Sequence, residues 1–226
     1  MNYICIIPAR SGSKRLKNKN TIKVKNKKLF DYTLEAALKV KRVEKIIITT
    51  NIKNLTSKNN KKIIFIKRPS YLSKDTCSTE SAMQHSLGNI PYLFDKTKTA
   101  IILLQPTSPL RDYNDINKAI DIFEKGKYDS LLSAYLEKLY VWEKKGNNLK
   151  SMTYNYKTRG RTQDKKASIL ENGAIFISKY KGFKKFNNRL FGKIGYSLMT
   201  KRNSLEVDYP EDMETFRSFI RYKKNK

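Results

Sequence analysis

Tyr3-Ile4-Cys5-Ile6-Ile7-Pro8-Ala9-Arg10-Ser11-Gly12-Ser13-Lys14-Arg15 takes the chain from an apolar run straight into a proline and a small, basic, polar loop. A short apolar run bounded by turn residues is the pattern of a strand buried on both faces. The loop behind it combines two hydroxyls, one glycine and three cations. Small residues let backbone N–H groups approach anionic oxygens, and Arg and Lys supply charge, so the loop suits a triphosphate. The spacing is neither that of a Walker A loop nor that of a dinucleotide fingerprint.

Beyond this stretch, apolar runs and helical periodicities alternate. Phe30, Leu34, Ala37 and Leu38 recur at helical spacing and predict a helix over 30–41. Strands are predicted at 45–50 and 63–66, a helix at 78–87 and a strand at 100–105. Asp112 is placed to cap a helix carrying Ile116, Ala119, Ile120 and Phe123. A strand at 130–135 follows. Buried strands separated by helices give an α/β fold: a mainly parallel, Rossmann-like sheet with helices on both faces. Ligands in such folds sit beyond the carboxyl ends of the strands, which points to the loops starting at Pro8, Thr50, Arg68 and Gln105.

The alternation stops after Tyr135. Residues 136–166 are polar, aromatic and charged without a period, too long for a plain loop. They read as an excursion inserted into a single domain spanning 1–226, a small antiparallel subdomain or an oligomer contact. A strand at 173–177 resumes the pattern. A short strand at 205–208 and a terminal helix from Pro210 carrying Met213, Phe216 and Ile220 close it, and the basic tail 221–226 is expected to fray.

The formal net charge is +28, from 48 basic and 20 acidic side chains. Such an excess suggests an anionic partner. Most of it is lysine accompanied by asparagine and isoleucine, a compositional bias that coats a surface without specifying a ligand. Hydrophobic residues reach 39%, enough for a core in 226 residues. No apolar stretch approaches the ~20 residues of a membrane span, and no export signal opens the chain. The expectation is a soluble cytoplasmic protein without a membrane role, in which Cys5 is an inert core residue and Cys5 and Cys77 form no disulfide.

A second motif, Gln105-Pro106-Thr107-Ser108-Pro109-Leu110-Arg111, follows the strand at 100–105. Two prolines stiffen the turn and fix Gln105, Thr107, Ser108 and Arg111. These two motifs, in this order, resemble the acylneuraminate cytidylyltransferases, also called CMP-sialic acid synthetases. Further blocks carry the resemblance: Lys19-Asn20, Arg68-Pro69-Ser70-Tyr71-Leu72-Ser73-Lys74-Asp75-Thr76, Arg159-Gly160-Arg161-Thr162-Gln163-Asp164, Glu171-Asn172-Gly173-Ala174 and Glu206-Val207-Asp208. It extends over nearly the whole chain.

The resemblance implies that CMP from CTP is joined to an acidic nine-carbon sugar with release of pyrophosphate. It implies Mg²⁺ or another divalent cation as cofactor, and a homodimer built through 136–166. Arg10, Ser13 and Lys14 would hold the triphosphate and Asn20 would help place it. Arg68, Cys77 and Thr79 would line the nucleotide pocket. Gln105, Thr107 and Ser108 would face the sugar or the ribose. Arg161 and Gln163 would approach the sugar acid, and Glu206 and Asp208 would bind the metal, with Arg161, Lys14 and Asp208 closest to the chemistry. Residues two apart on a strand share a face, so both carboxylates could reach one hard cation. Four positions depart from the family pattern: Glu206 and Asn51 stand where an Asp is usual, Thr162 replaces an arginine, and Cys77 lies where a Ser or Ala is usual. His85, the single histidine, reads as a packing or surface residue.

Two other readings remain open at this point. Arg15 and Leu16 echo the loop of the cytidylyltransferases for the eight-carbon acid KDO, which lack the Gln105–Arg111 and Glu171–Ala174 blocks. A basic nucleic-acid-binding protein would account for the charge, with Tyr135, Tyr140, Trp142, Tyr154 and Tyr156 among lysines, but it does not explain the ordered motifs.

Overall fold

The computed structural model describes residues 1–56, 58–92 and 95–222. In chain order the elements are β1 (Asn2–Ala9), β2 (Lys23–Val24), β3 (Lys27–Lys28), α1 (Leu29–Leu38), β4 (Val43–Thr50), β5 (Ile63–Lys67), α2 (Thr79–Gly88), β6 (Thr99–Leu104) and α3 (Tyr113–Lys125). They continue with β7 (Ser130–Glu137), β8 (Trp142–Lys145), β9 (Asn148–Ser151), β10 (Ser168–Lys179), α4 (Tyr180–Phe186), β11 (Ile194–Leu198) and α5 (Pro210–Tyr222).

Seven strands form one sheet in the order β11-β7-β10-β6-β1-β4-β5. The pairs β1–β4, β1–β6, β4–β5 and β7–β11 are parallel, and only β10 runs against its neighbours. The alternation of side chains along each strand assigns the two faces. Tyr3, Cys5, Ile7, Ile46, Ile48, Ile102 and Leu104 pack under α1 and α3, with Phe30, Leu34, Ile116 and Phe123. Ile4, Ile6, Ile47, Ile101 and Leu103 pack on the other face against Met83 and Leu87 of α2 and Phe183 of α4. The continuous apolar runs of β1, β4 and β6 are therefore covered on both sides, each fully buried Ile or Leu contributing about 1.5–3 kcal/mol. A third cluster seats α5 through Met213 and Phe216 against Val24, Leu29 and Val207.

The helix starts follow local chemistry. The Ser78 side chain accepts from Ser81 N. Asp112 accepts from Asn114 N and Asp115 N while Asp115 reaches back to Asp112 N, a reciprocal cap.

Several elements differ from the sequence expectation. Residues 205–208 form no strand; a single backbone bond, from Val207 N to Thr107 O (2.7 Å), ties them to the Gln105–Arg111 turn. The turn offers one carbonyl, not a ladder, so the segment is anchored by the fully buried Val207 instead. β11 and α4 were not expected. On β11 the buried positions are Gly195 and Ser197 while Ile194 and Tyr196 face outward, so the apolar period is inverted. Gly195 is needed there because a Cβ would fall 2.4 Å from the Tyr128 ring. α5 continues through 221 and 222, where fraying was expected, and the remaining tail, 223–226, lies outside the described residues.

The excursion contains the antiparallel hairpin β8–β9, whose residues are nearly all exposed. Its aromatic residues pack edge to face, Tyr140 on Tyr154 (4.6 Å) and Trp142 on Tyr154 (5.6 Å). Lys165 and Arg159 sit over the Tyr140 ring at 4.1 and 4.5 Å. Among the described residues no helix is long and apolar enough to cross a membrane.

Candidate functional site

The carboxyl ends of β1, β5 and β6 open onto a cleft lined by Arg10, Ser13, Lys19, Asn20, Arg68, Cys77, Thr79, Gln105 and Thr107, among others. It continues through the shared residues Arg10, Ser13 and Lys19 into a trough that also carries Lys14, Arg15, Asp75 and Asp208. Three of the four loops named by the strand-end rule, those at Pro8, Arg68 and Gln105, thus line one cleft, whereas the loop at Thr50 lines a separate hollow beside Phe65 and Ile66.

Each wall of the cleft is braced from below. Asn51, at the end of β4, accepts from Ser11 N and donates to Ser11 Oγ, both at 2.8 Å, so its amide grips the loop from two sides. A carboxylate there could only accept. Asn20 is buried and donates to Arg10 O at 3.0 Å, which fixes the strand-to-loop exit. Arg68 is buried, donating to Thr49 O (2.8 Å) and Thr49 Oγ1 (3.3 Å). Burial, then the nearby Arg10 charge, lowers its guanidinium to about 10; an anion in the cleft would relieve that repulsion.

Arg111 is 1% exposed and donates to Gln105 O (3.3 Å) and Ala174 O (2.8 Å). It joins the Gln105 turn to β10 and holds positive charge beneath the floor; burial lowers it to about 10, so it stays protonated at neutral pH. Opposite, β10 shifts register between Glu171 and Phe176. Within that irregular stretch Asn172 turns inward, accepting from Ser133 Oγ (2.6 Å) and donating to Ser204 Oγ (2.8 Å). Gly173 takes φ 66°, with the Gln105 amide 3.5 Å from where a Cβ would stand. The left-handed backbone and the close approach both favour glycine.

The trough is strongly charged. Asp75 pairs with Arg10 and, at 2.9 Å, with Lys14. Asp208 pairs with Lys19 at 2.5 Å and Arg15 at 2.6 Å, and Arg15 also stacks over the Tyr209 ring at 5.1 Å. Glu206 lies next to Thr107, whose Oγ1 is 3.4 Å from its carboxylate. Burial, then the Asp208 charge, raises the Glu206 carboxyl above its ordinary range. Among the described residues no group of three or more His, Cys, Asp or Glu is placed to hold a metal ion.

Arg10, Ser13, Asn20, Arg68, Cys77, Thr79, Gln105 and Thr107 are therefore brought together, and Lys14 and Asp208 adjoin them. Glu206 lines a neighbouring cavity with Glu171, Asn172 and Ser204 and meets the cleft only at Thr107, and three further expected residues are not brought to the cleft. Ser108 is fully buried, its N–H closing the turn onto Gln105 O at 3.3 Å. Closing the turn through its N–H leaves its side chain in the interior, which corrects the expectation that it faces a ligand. Arg161 and Gln163 sit exposed on the excursion, Arg161 paired with Asp164 at 2.8 Å, and they do not line the cleft. Sequence reasoning assigned no role to Lys19 or Asn51, and counted Arg15 only among the cations of the first loop. Lys19 could have been found, since it belongs to the quoted Lys19-Asn20 block; nothing in the sequence marks the Asn51 brace.

A family model described as cytidylyltransferase matches residues 4–225. The chain is 32% identical to an N-acylneuraminate cytidylyltransferase of Escherichia coli O18:K1:H7, covering 99% of this chain and 53% of that protein. It is 29% identical to post-translational flagellin modification protein B of Campylobacter coli, covering 97% of this chain and 95% of that one. The chain thus spans about half the length of the first relative and nearly all of the second. Among solved structures, CMP:2-keto-3-deoxy-manno-octonic acid synthetase complexed with CTP superposes with a TM-score of 0.68 at 15% identity, over 99% of this chain and all of that one, a likeness of fold.

Proposed function

The chain belongs to the cytidylyltransferase family, and from that premise we propose that it joins CMP from CTP to an acidic nine-carbon sugar of the N-acylneuraminate or legionaminate type, releasing pyrophosphate. The observation that carries the reading is the convergence of Arg10, Lys19, Arg68, Gln105 and Thr107 on one cleft at the carboxyl ends of the strands, continuous with a trough of cations. The identity to the E. coli enzyme supports the sugar class.

In the proposed reaction the anomeric hydroxyl of the sugar acid attacks the α-phosphorus of CTP. A new P–O bond forms, the bond to the β-phosphate oxygen breaks, and the hydroxyl proton is lost. Two anions must be brought together, so positioning and charge carry most of the catalysis. Arg10, Lys14, Arg15 and Lys19 hold the phosphates and stabilise charge on departing pyrophosphate. Arg68, Cys77 and Thr79 line the nucleoside end, and Gln105 and Thr107 turn toward the sugar or ribose. Asp208 and Glu206, close enough for the charge of one to act on the other, would be the residues to hold Mg²⁺, a cation commonly bound through one or two carboxylates. Such a cation would neutralise phosphate charge at the reacting centre.

Arg161 and Gln163, remote from their own cleft, act at the cleft of a second copy in a homodimer. The exposed Trp142, Leu149, Met152 and Tyr156 of the excursion supply the apolar surface such contact needs. The experiment is pyrophosphate release from CTP with N-acetylneuraminate, legionaminate or KDO. Release is expected with a nine-carbon acid only. Release with KDO alone would favour the eight-carbon reading, and retention of RNA without turnover would favour nucleic-acid binding.

A further inference from the structure

Four cations converge on the trough, and two carboxylates already hold them in pairs. Asp208 bridges Lys19 and Arg15, and its role is taken up by the proposed metal. Asp75 bridges Arg10 and Lys14, and nothing in the proposed reaction uses it. It lies on the short loop between the turn Ser70–Ser73 and α2, facing the trough. Arg10 is further tied to this loop by a bond from its Nη1 to Ser73 O (3.2 Å).

One carboxylate with an oxygen on each of two cations has the geometry and charge of a phosphate gripped by the same pair. We propose that Asp75 is a positioning residue that occupies a phosphate place between Arg10 and Lys14, yields it when CTP binds, and returns as pyrophosphate leaves. The hydrogen bonds from Lys14 and Arg10 hold its carboxyl below the usual carboxylate range, so Asp75 is anionic at any working pH and competes throughout. Its side chain is 33% exposed and that of Lys14 81%, so the pairing is weak enough to be exchanged for a polyanion. Placed on a loop outside the sheet, the carboxylate can withdraw without disturbing the strands. Between turnovers the arrangement keeps two like charges from repelling each other and lowers the trough's grip on the leaving group.

The inference rests on the reading of the cleft as a CTP site, and the test separates the two. CTP and inorganic pyrophosphate are titrated by calorimetry into wild-type protein and into Asp75→Asn, Asp75→Ala and Asp75→Glu, alongside steady-state kinetics. Two exposed pairs set the scale, so Asp75→Asn and Asp75→Ala should bind both ligands about three- to tenfold tighter. The KM for CTP should fall by a similar factor without a rise in kcat, pyrophosphate should inhibit more strongly, and Asp75→Glu should restore wild-type behaviour. If the neutral variants bind CTP and pyrophosphate no more tightly, or more weakly, while remaining folded by circular dichroism, Asp75 merely props up its cations and the proposal is overturned. If the wild-type protein binds neither ligand, the CTP reading falls and the proposal with it.

Discussion

Asp208 holds Lys19 and Arg15, so its loss removes both the proposed metal ligand and the brace on two cations of the trough. Asp208→Asn should lose nearly all turnover, as should wild-type protein in excess EDTA, whereas Glu206→Asp should retain most of it; full activity in EDTA would refute the metal proposal. Arg10 and Arg161 should separate binding from chemistry. Arg10→Ala removes a guanidinium that lines the cleft and should weaken CTP binding by calorimetry. Arg161→Ala and Arg161→Lys should leave CTP binding nearly unchanged. Both should cost about 2–4 kcal/mol of transition-state stabilisation, by analogy with lost oxyanion donors, because lysine cannot reproduce a two-pronged contact. Near-normal turnover of Arg161→Ala would shift that role to Arg159. The two cysteines give an independent probe. Cys5 is fully buried, and burial pushes its thiol up to about 12, so it is shielded from reagent and disfavoured as the reactive thiolate. Cys77 lines the cleft. Maleimide should therefore label Cys77 alone, and CTP should protect it; equal labelling with and without CTP counts against nucleotide binding at this site.

The helix caps offer a stability measurement that leaves the cleft untouched. Asp112 satisfies two N–H groups of α3, and Asp112→Ala should cost about 1 kcal/mol, a fall in Tm of about 2–4 °C for a chain of this size, read by thermal denaturation. That cap was legible in the sequence because Asp112 precedes a clean helical period. So were β1, β4 and β6, whose apolar runs are continuous because both of their faces are covered. β11 was not, since its buried positions carry Gly195 and Ser197 and its burial comes from neighbours instead of its own side chains. The cleft was legible through motifs, each a cluster of loop residues. Its braces were not. The Asn51 amide and the Arg111 guanidinium act across distances of 40 and 63 residues, and a sequence without a fold does not reveal such partners. Ser108 shows the converse error, a residue of a recognisable motif whose N–H closes the turn while its hydroxyl lies in the interior.

With a net charge of +28, long-range attraction should speed the arrival of CTP and of a sugar carboxylate, and the rate should fall with ionic strength. The charge does not itself specify either ligand; in the proposed reaction the cleft would do that through a few braced groups. The excursion leaves large apolar side chains in solvent, a cost that pairing would remove, so light scattering at working concentration should report a dimer; a fully active monomer would contradict that. Such a dimer would bring Arg161 to a neighbour's cleft, which is how a residue far from its own site can govern turnover. The decisive measurement is mass spectrometry of the purified protein incubated with CTP, Mg²⁺ and a nine-carbon sugar acid. A CMP–sugar conjugate and pyrophosphate in equal amounts, formed only when both substrates are present, is the predicted result. CTP left intact, or broken down without conjugate in the presence of every nine-carbon acid tried, would contradict it.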